Sequence, residues 1–509
     1  MTAIVSTAQG FVRGIEQRGV HAFLGLPYAA APVGDLRFSA PQPPASWSGE
    51  RDASRYGPVC LQQPMAGLFG QIGTPTNPPG DDCLNLNVWT PDPGSAGLPV
   101  LFWIHGGAFY AGSGIDDVYN GSAFARDGVV CVTINYRLGV QGFCHFADHF
   151  AALGESGNVG ILDQIAALEW VRDNIAAFGG DPSRVTIAGE SAGGMSVGTL
   201  LATPRAKGLF RRAIPQSGAG HNGISAPTAS MIAGHLLDQL AVKPGDLADL
   251  MSRTPQQVLD AQIKLSDELA ATRDPERFGE AASSAMAFQP TFGTEVLPLR
   301  PIDAIAAGAA ADIDVLVGTT REEALIFIVD LRDIFNEPLV EATLDAVMAA
   351  SGRKGKDVLD VYRRNRSGSQ PHELAAAVET DRMFRLPAIR LADAQSAHNP
   401  NTRMYQFAWR STAMDGAFGA CHFLEVPFVF DQLDNDQARG IAGDPPQALA
   451  DKVHAAWVAF AKTGDPQHAG LPKWPTWNAS TRPTMVLDTV PAVVNDPAAD
   501  ERLLWEGVV

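Results

Sequence analysis

Short apolar runs of strand length, each followed by small residues or a helical pattern, organise this chain. Residues 99–104 are wholly apolar, 185–188 carry β-branched residues, and 313–317 form a third run of strand length. An apolar helical pattern at 195–201 follows the second run. Runs of this length predict buried strands, and the pattern at 195–201 predicts a helix.

The turn between the second strand and its helix carries the most specific chemical signal. Residues 189–193 read Gly-Glu-Ser-Ala-Gly. At a strand-to-helix turn this pattern is a nucleophile elbow, whose glycines leave no Cβ to clash around a strained serine. Ser191 is therefore the candidate nucleophile, and the N–H of Ala192 is a candidate oxyanion donor. The similar sequence at 154–157 lacks the preceding strand and the last glycine, and we interpret it as a surface turn.

A second constellation lies upstream, where the run at 99–104 ends in His-Gly-Gly-Ala. Small residues there leave the backbone N–H groups of Gly107 and Ala108 open to a pocket, as the stabilisation of a tetrahedral oxyanion requires. The alternative is a tight turn that merely needs glycine. The elbow at Ser191 favours the oxyanion loop.

At these residues the chain resembles the type-B carboxylesterase and cholinesterase family, and within it the bacterial para-nitrobenzyl-esterase-like members. Residues 82–89, Asp-Cys-Leu-Asn-Leu-Asn-Val-Trp, look like the E-D-C-L-x-L-N-V signature of that family. Further segments follow the family's spacing at 135–139, 158–163, 179–182 and 457–466. The resemblance implies an α/β-hydrolase fold: a central, mostly parallel sheet flanked by helices, with helical insertions over the active site.

In this fold an acid and then a histidine follow the serine along the chain. His422 lies in residues 419–430, which resemble the histidine loop of the family, so it is the candidate base. The alternative is a core histidine bound to a backbone carbonyl, and we interpret His398 and His454 as structural histidines.

Two adjacent glutamates compete for the acid, since Glu322 and Glu323 both lie in the loop that leaves the predicted strand at 313–317. Neighbouring loop residues generally point apart, so we expect only one of them to reach His422. The resemblance selects Glu323, although Ala324 stands where the family usually has glycine. Glu322 is then a solvated or helix-capping charge.

These roles predict a serine carboxylesterase that hydrolyses short- to medium-chain esters through an acyl-enzyme, with no cofactor and no metal. Glu190 and Ser217 resemble supporting positions around the triad. The alternatives are a hydrolase of amides, carbamates or lactones and a non-catalytic cholinesterase-like binding protein.

The segment between the first two cysteines limits the range of substrates that we expect. Residues 61–82 contain no tryptophan, whereas choline-ester enzymes of the family place a cation-binding tryptophan there, so we do not expect a cholinesterase. Residues 62–71 are too short and too rich in glycine and proline for the amphipathic flap of related lipases. Candidate aromatic residues of an apolar pocket are Phe109, Tyr110, Phe288, Phe292, Phe327 and Phe423.

The 509-residue length alone suggests about three domains. However, positions 105, 191, 323 and 422 must converge on one site. We therefore predict a single domain, 1–509, with helical insertions near 225–285 and 331–395 covering the mouth of the site.

Charge and cysteine content bear on partners and location. The chain has 38 basic and 56 acidic residues, a net charge of −18, and no basic stretch of five or more residues, which argues against nucleic acid and anionic membranes as partners. We expect a small-molecule ester as substrate, a monomer or weak homo-oligomer, and a cytoplasmic location, with secretion open if the sequence is a mature form. The five cysteines suggest thiols. Cys60 and Cys83 match positions that secreted relatives bridge.

Overall fold

An eleven-stranded sheet forms the centre of the protein. A computed structural model describes residues 3–65, 67, 70 and 77–508. The strands of the described chain are β1 Ile4–Thr7, β2 Gly10–Arg13, β3 Ile15–Gln17, β4 Val20–Pro27, β5 Glu50–Asp52, β6 Asn85–Thr90, β7 Leu98–Ile104, β8 Val130–Ile134, β9 Gly180–Glu190, β10 Arg212–Gln216, β11 Ile224–Ser225, β12 Thr291–Phe292, β13 Asp314–Thr320, β14 Thr402–Phe407, β15 Pro483–Leu487 and β16 Ala492–Asn495.

The order of the large sheet is β16-β15-β14-β13-β10-β9-β7-β8-β6-β4-β3. The seven strands from β15 to β8 pair in parallel, and the outer strands pair with them and with one another in antiparallel fashion. The predicted central, mostly parallel sheet is confirmed. Strands β1, β2 and β5 form a small separate sheet, and β11 pairs with β12.

Besides short 3₁₀ segments and a π-helical segment at Asp381–Arg385, α-helices surround this sheet. Those of the described chain are α1 Ser122–Arg126, α2 Gly139–Phe143, α3 Val159–Asn174, α4 Ala192–Ala202, α5 Ala226–Leu240, α6 Leu247–Ser252, α7 Pro255–Thr272, α8 Pro275–Phe278, α9 Ala281–Ser284, α10 Pro301–Ala306, α11 Leu325–Ile328, α12 Glu337–Met348, α13 Gly355–Asn365, α14 Pro371–Thr380, α15 Leu386–Ser396, α16 Val426–Val429, α17 Asp436–Ala442, α18 Gln447–Thr463 and α19 Ala499–Leu503. In the same part of the chain, no helix is both long enough and apolar enough to cross a membrane.

Strand β7 shows why the sheet forms the core. Val100, Phe102 and Ile104 pack into one apolar cluster, whereas Leu101 and Trp103 pack into a second. Successive side chains of a strand point to opposite faces, so both faces of the sheet are buried. Burial on both faces explains why residues 99–104 are all apolar.

Two predicted boundaries shift in the structure. Strand β13 continues through Thr320, so the acid-bearing loop begins later than the run at 313–317 indicates. Strand β9 already begins at Gly180, well before the β-branched run at 185–188. In each case pairing with a neighbouring strand extends the element beyond its apolar run.

Three further predictions concern the surroundings of the sheet. Helices occupy both predicted insertions, 225–285 and 331–395, but the division of the chain into domains stays a prediction. The predicted absence of a flap at 62–71 falls partly on residues 66, 68, 69 and 71, which lie outside the described residues. Cys60 and Cys83 are thiols, and their Sγ atoms lie 3.0 Å apart.

Candidate active site

Ser191 lies in a strained turn between strand β9 and helix α4. Its backbone has φ 57° and ψ −124°, a conformation that residues with a side chain rarely adopt. The turn is held because Ser191 N–H donates to Gln216 O at 3.0 Å. An added Cβ at Gly189 would lie 2.6 Å from the Gly193 backbone, and one at Gly193 would lie 2.0 Å from Ile104 O. Both glycines are therefore required by the close approach of strand and helix.

The loop after strand β7 has the backbone that the predicted oxyanion loop needs. Gly107 has φ 106° and Ala108 has φ 50°, which turns consecutive amides away from the regular strand direction. Together with Ala192 at the start of α4, these residues supply three backbone N–H groups. Within the described chain, no residue accepts a hydrogen bond from these three amides. Gly107 and Ala108 line the same cavity as Ser191.

His422 is held by the second of the two adjacent glutamates. Its Nδ1 lies 2.6 Å from Glu323 Oε2, and both side chains are buried. The backbone reinforces the pair, since His422 N–H donates to Glu323 O at 3.1 Å. Glu323 Oε1 in turn accepts hydrogen bonds from Ser217 Oγ at 2.6 Å and from Thr320 N–H at 2.7 Å. The carboxylate of Glu323 is thus fixed on both oxygens.

Glu322 points away from this pair. Its Oε1 forms an ion pair with Arg410, and its Oε2 accepts from Ala420 N–H at 2.8 Å. Glu322 therefore links Arg410 to the backbone of the loop that leads to His422. The two neighbours diverge, and Glu323 is the one in contact with the imidazole.

Glu190 occupies the other side of the imidazole, where His422 Nε2 lies 3.1 Å from Glu190 Oε1. Glu190 is fully buried, and both burial and nearby Glu323 raise its pKa well above the ordinary value. The resemblance marked Glu190 as a supporting residue but gave no indication of this direct contact.

A third buried glutamate lies behind the pair. Glu425 Oε1 accepts from Gln216 Nε2 at 3.2 Å, and Gln216 Oε1 accepts from Trp457 Nε1 at 2.8 Å. Burial is the largest cause that raises the pKa of Glu425 to about 8, and Glu190 and Glu323 add to it. Three carboxyl groups share one apolar region, so the protein favours the neutral forms of Glu190 and Glu425.

Glu190, Ser191 and His422 line one cavity of about 130 Å³. Of the six aromatic residues that the sequence suggested, Tyr110, Phe327 and Phe423 line this cavity. The other three lie elsewhere: Phe109 packs in the core on Phe143, and neither Phe288 nor Phe292 is among the described lining residues. The described lining residues that the sequence analysis missed are Met65, Gly106, Gly112, Asp116, Tyr119 and Gln437.

Among the residues that the structure describes, no group of His, Cys, Asp and Glu side chains has the arrangement of a metal site. The two histidines interpreted as structural have backbone partners: His398 Nε2 lies 2.8 Å from Ala306 O, and His454 Nδ1 lies 2.7 Å from Val429 O. A parallel sheet with a strained serine after one strand, and a carboxylate–histidine pair beside it, defines a hydrolase of the α/β-hydrolase class.

Comparisons with known proteins place the chain within that class. Residues 1–504 match the model of the carboxylesterase family. The chain is 40% identical over 504 residues to para-nitrobenzyl esterase of Bacillus subtilis (strain 168), covering 98% of this chain and 97% of that protein. It is 37% identical over 497 residues to phenmedipham hydrolase of Pseudarthrobacter oxydans, covering 95% and 94%. A solved structure of a thermophilic PNB esterase matches with a TM-score of 0.87 at 38% identity, covering 99% and 100%.

The chain therefore belongs to the carboxylesterase family. The resemblance to type-B carboxylesterases, the α/β-hydrolase fold and the prediction of a carboxylic ester hydrolase are confirmed. The non-catalytic alternative has no support from these relatives, which are named as esterases and a hydrolase.

Proposed function

We propose that Ser191, His422 and Glu323 are the nucleophile, general base and orienting acid of a serine carboxylesterase. The observation that carries the proposal is a combination of three features: the strained serine and the buried imidazole line one cavity, and a carboxylate lies 2.6 Å from Nδ1 of that imidazole. A triad is recognised by the geometry and the role of its members, and these three features support the proposed assignment.

In the acylation step Ser191 Oγ forms a bond to the carbonyl carbon of the ester, and its proton passes to His422 Nε2. The tetrahedral oxyanion accepts hydrogen bonds from the amides of Gly107, Ala108 and Ala192, which need no reorganisation as charge develops. When the intermediate collapses, the carbon–oxygen bond to the alcohol breaks, and the imidazolium gives its proton to the leaving oxygen.

Deacylation repeats these roles with water. His422 Nε2 takes a proton from the water that attacks the acyl-enzyme, and it returns the proton to Ser191 Oγ as the carboxylic acid leaves. Glu323 accepts the Nδ1 hydrogen throughout, so it holds the imidazole in one tautomer and stabilises the imidazolium. Ser217 and Thr320 fix Glu323 and thereby support this orientation.

The cavity supports short- to medium-chain esters as the preferred substrates. Its volume of about 130 Å³ and its lining by Phe327 and Phe423 give room for a small apolar group. We expect initial rates with para-nitrophenyl esters to peak at short to medium acyl chains. We also expect no jump in rate when a substrate passes its solubility limit.

The decisive experiment combines Ser191→Ala with covalent labelling. We expect this variant to keep its circular dichroism spectrum and to lose both esterase turnover and labelling by an organophosphate. The control is Ser183→Ala, which removes a hydroxyl from the exposed beginning of β9. Near-normal turnover in Ser191→Ala would end the assignment of the nucleophile.

The same proposal includes a single domain over 1–509, a cytoplasmic location and a monomer or weak homo-oligomer. Support for the first is that the loop after β7, the end of β9, helix α11 and the loop before α16 all contribute residues to one cavity. The net charge of −18 disfavours anionic membranes and nucleic acid as partners. Gel filtration with light scattering tests the oligomeric state.

A further inference from the structure

A carboxylate that the proposed mechanism does not use faces the same cavity as Ser191. Asp116 lies just before a short helical turn, Asp117–Tyr119, and lines the cavity beside Tyr119 and Gln437. Its side chain is held in place, because Oδ1 accepts from Ser113 Oγ at 3.1 Å and Oδ2 accepts from Gln437 Nε2 at 3.2 Å. Both donors are neutral, so they orient the carboxylate without cancelling its charge.

The charge of Asp116 is not compensated by the neighbours that act on it. Among the described residues, the charged group that acts on the pKa of Asp116 is Asp117, which is also negative. Burial is the main cause that raises the pKa of Asp116 to about 6. The carboxylate is therefore mostly ionised above neutral pH.

The other acid among the described lining residues behaves differently. The pKa of Glu190 is raised well above its ordinary value, and its carboxyl lies against His422. Burial and Glu323 thus disfavour the charged form of Glu190, which lies against His422, whereas the carboxylate of Asp116 is held at the cavity by two neutral donors. Aromatic rings line the same space, with the centroids of Tyr119 and Phe423 6.1 Å apart.

We propose that Asp116 is a specificity-determining residue that favours esters carrying a protonated amine. A carboxylate beside aromatic faces in a narrow cavity attracts an ammonium group through charge and through the ring quadrupoles. A neutral group of the same shape gains no such attraction. This inference rests on the proposed function, because it places the amine in the cavity that holds Ser191.

The test uses two pairs of esters in which only the charge differs. On the alcohol side, protonated 2-(dimethylamino)ethyl acetate is compared with 3-methylbutyl acetate. On the acyl side, protonated ethyl 3-(dimethylamino)propanoate is compared with ethyl 4-methylpentanoate. The measured quantity is the ratio of kcat/KM within each pair, and the pair with the larger ratio shows which side of the ester Asp116 faces.

We expect at least one ratio to fall by about five- to tenfold in Asp116→Asn, because a carboxylate near a cation contributes on the order of 1 kcal/mol in this environment. The neutral ester in each pair reports whether the variant is folded and active. Asp116→Glu keeps the charge and should keep most of the preference. The control Asp117→Asn removes the same charge from an exposed side chain beside the cavity and should change both ratios less than about twofold.

Unchanged ratios in Asp116→Asn would overturn the inference. If that variant is inactive towards all four esters, the inference is tested instead by inhibition of the wild-type protein with the two alcohols. Protonated 2-(dimethylamino)ethanol must then inhibit more strongly than 3-methylbutan-1-ol, and equal inhibition would overturn the inference. Failure of the proposed function is seen separately, as turnover of the neutral esters by Ser191→Ala.

Discussion

His422 Nε2 lies 3.1 Å from Glu190 Oε1, while Nδ1 of the same ring lies 2.6 Å from Glu323 Oε2. The imidazole thus has a carboxyl group beside each nitrogen. In the proposed mechanism Nε2 takes the proton of Ser191 Oγ. Substrate binding must then exchange the contact with Glu190 for one with the serine, and Glu190 remains close enough to stabilise the imidazolium that forms.

This arrangement predicts a pH-dependent effect of Glu190→Gln. The pKa of Glu190 is raised, so its carboxyl group is neutral at low pH and resembles the amide of glutamine. As pH rises the wild-type carboxyl ionises and stabilises imidazolium, which the amide does not do. We expect the ratio of wild-type to variant kcat/KM to grow with pH, reaching about tenfold at the alkaline end. A ratio that stays constant from about pH 6 to about pH 9 would contradict this role.

The two adjacent glutamates give a matched pair of variants. Glu323→Gln should lower kcat by about 10² or more, since a neutral amide does not stabilise imidazolium and favours the wrong tautomer. Glu322→Gln removes a partly exposed ion pair with Arg410, which contributes about 1 kcal/mol or less to stability, and it should leave kcat nearly unchanged. Steady-state kinetics at saturating ester measure both. The opposite ranking would transfer the role to Glu322.

The sequence predicts the nucleophile turn well because its requirements are local. A serine with positive φ between close-packed elements needs glycine on both sides. This requirement is visible in the sequence as Gly189 and Gly193. The central sheet is predictable for a related reason. Because both faces of β7 are buried, its side chains are apolar, and the apolar run at 99–104 therefore predicts the strand.

Contacts between segments that are far apart in the sequence produce no comparable local pattern. Asp116 and Gln437 share a hydrogen bond although 321 positions separate them, and neither residue stands out in its own segment. The raised pKa of Glu425 likewise depends on Glu190 and Glu323, which reach it only in the folded protein. The sequence alone therefore does not indicate which loop residues meet in the folded protein.

The glycine at the end of the elbow predicts a steric effect. A Cβ at Gly193 would lie 2.0 Å from Ile104 O, so Gly193→Ala must displace either β7 or α4. We expect a loss of about 1–3 kcal/mol of stability together with a fall in kcat, because Ala192 and Ser191 would move with the helix. The control Gly154→Ala adds a Cβ whose nearest neighbour is 3.9 Å away. Denaturant unfolding measures the stability change, and equal stability of the two variants would contradict the prediction.

Burial of Glu425 predicts how stability changes with pH. Its pKa rises from an ordinary value of 4.5 to about 8 in the folded protein, so the folded state binds the proton more tightly than the unfolded state does. The stabilisation from this proton is complete below the lower value and is lost as pH rises towards the higher one. In this window the free energy of unfolding should fall by up to a few kcal/mol on account of Glu425.

Glu425→Gln removes that titration while it leaves an oxygen that accepts from Gln216 Nε2. We expect the variant to gain stability relative to the wild-type protein as pH rises from about 4.5 to about 8. Urea unfolding at a series of pH values measures the difference, with the exposed Glu50→Gln as the control for loss of charge alone. Glu190 and Glu323 are present in both proteins, and the measured difference includes their electrostatic coupling to Glu425. Parallel stability curves for Glu425→Gln and the wild type would show that Glu425 is not the group that titrates.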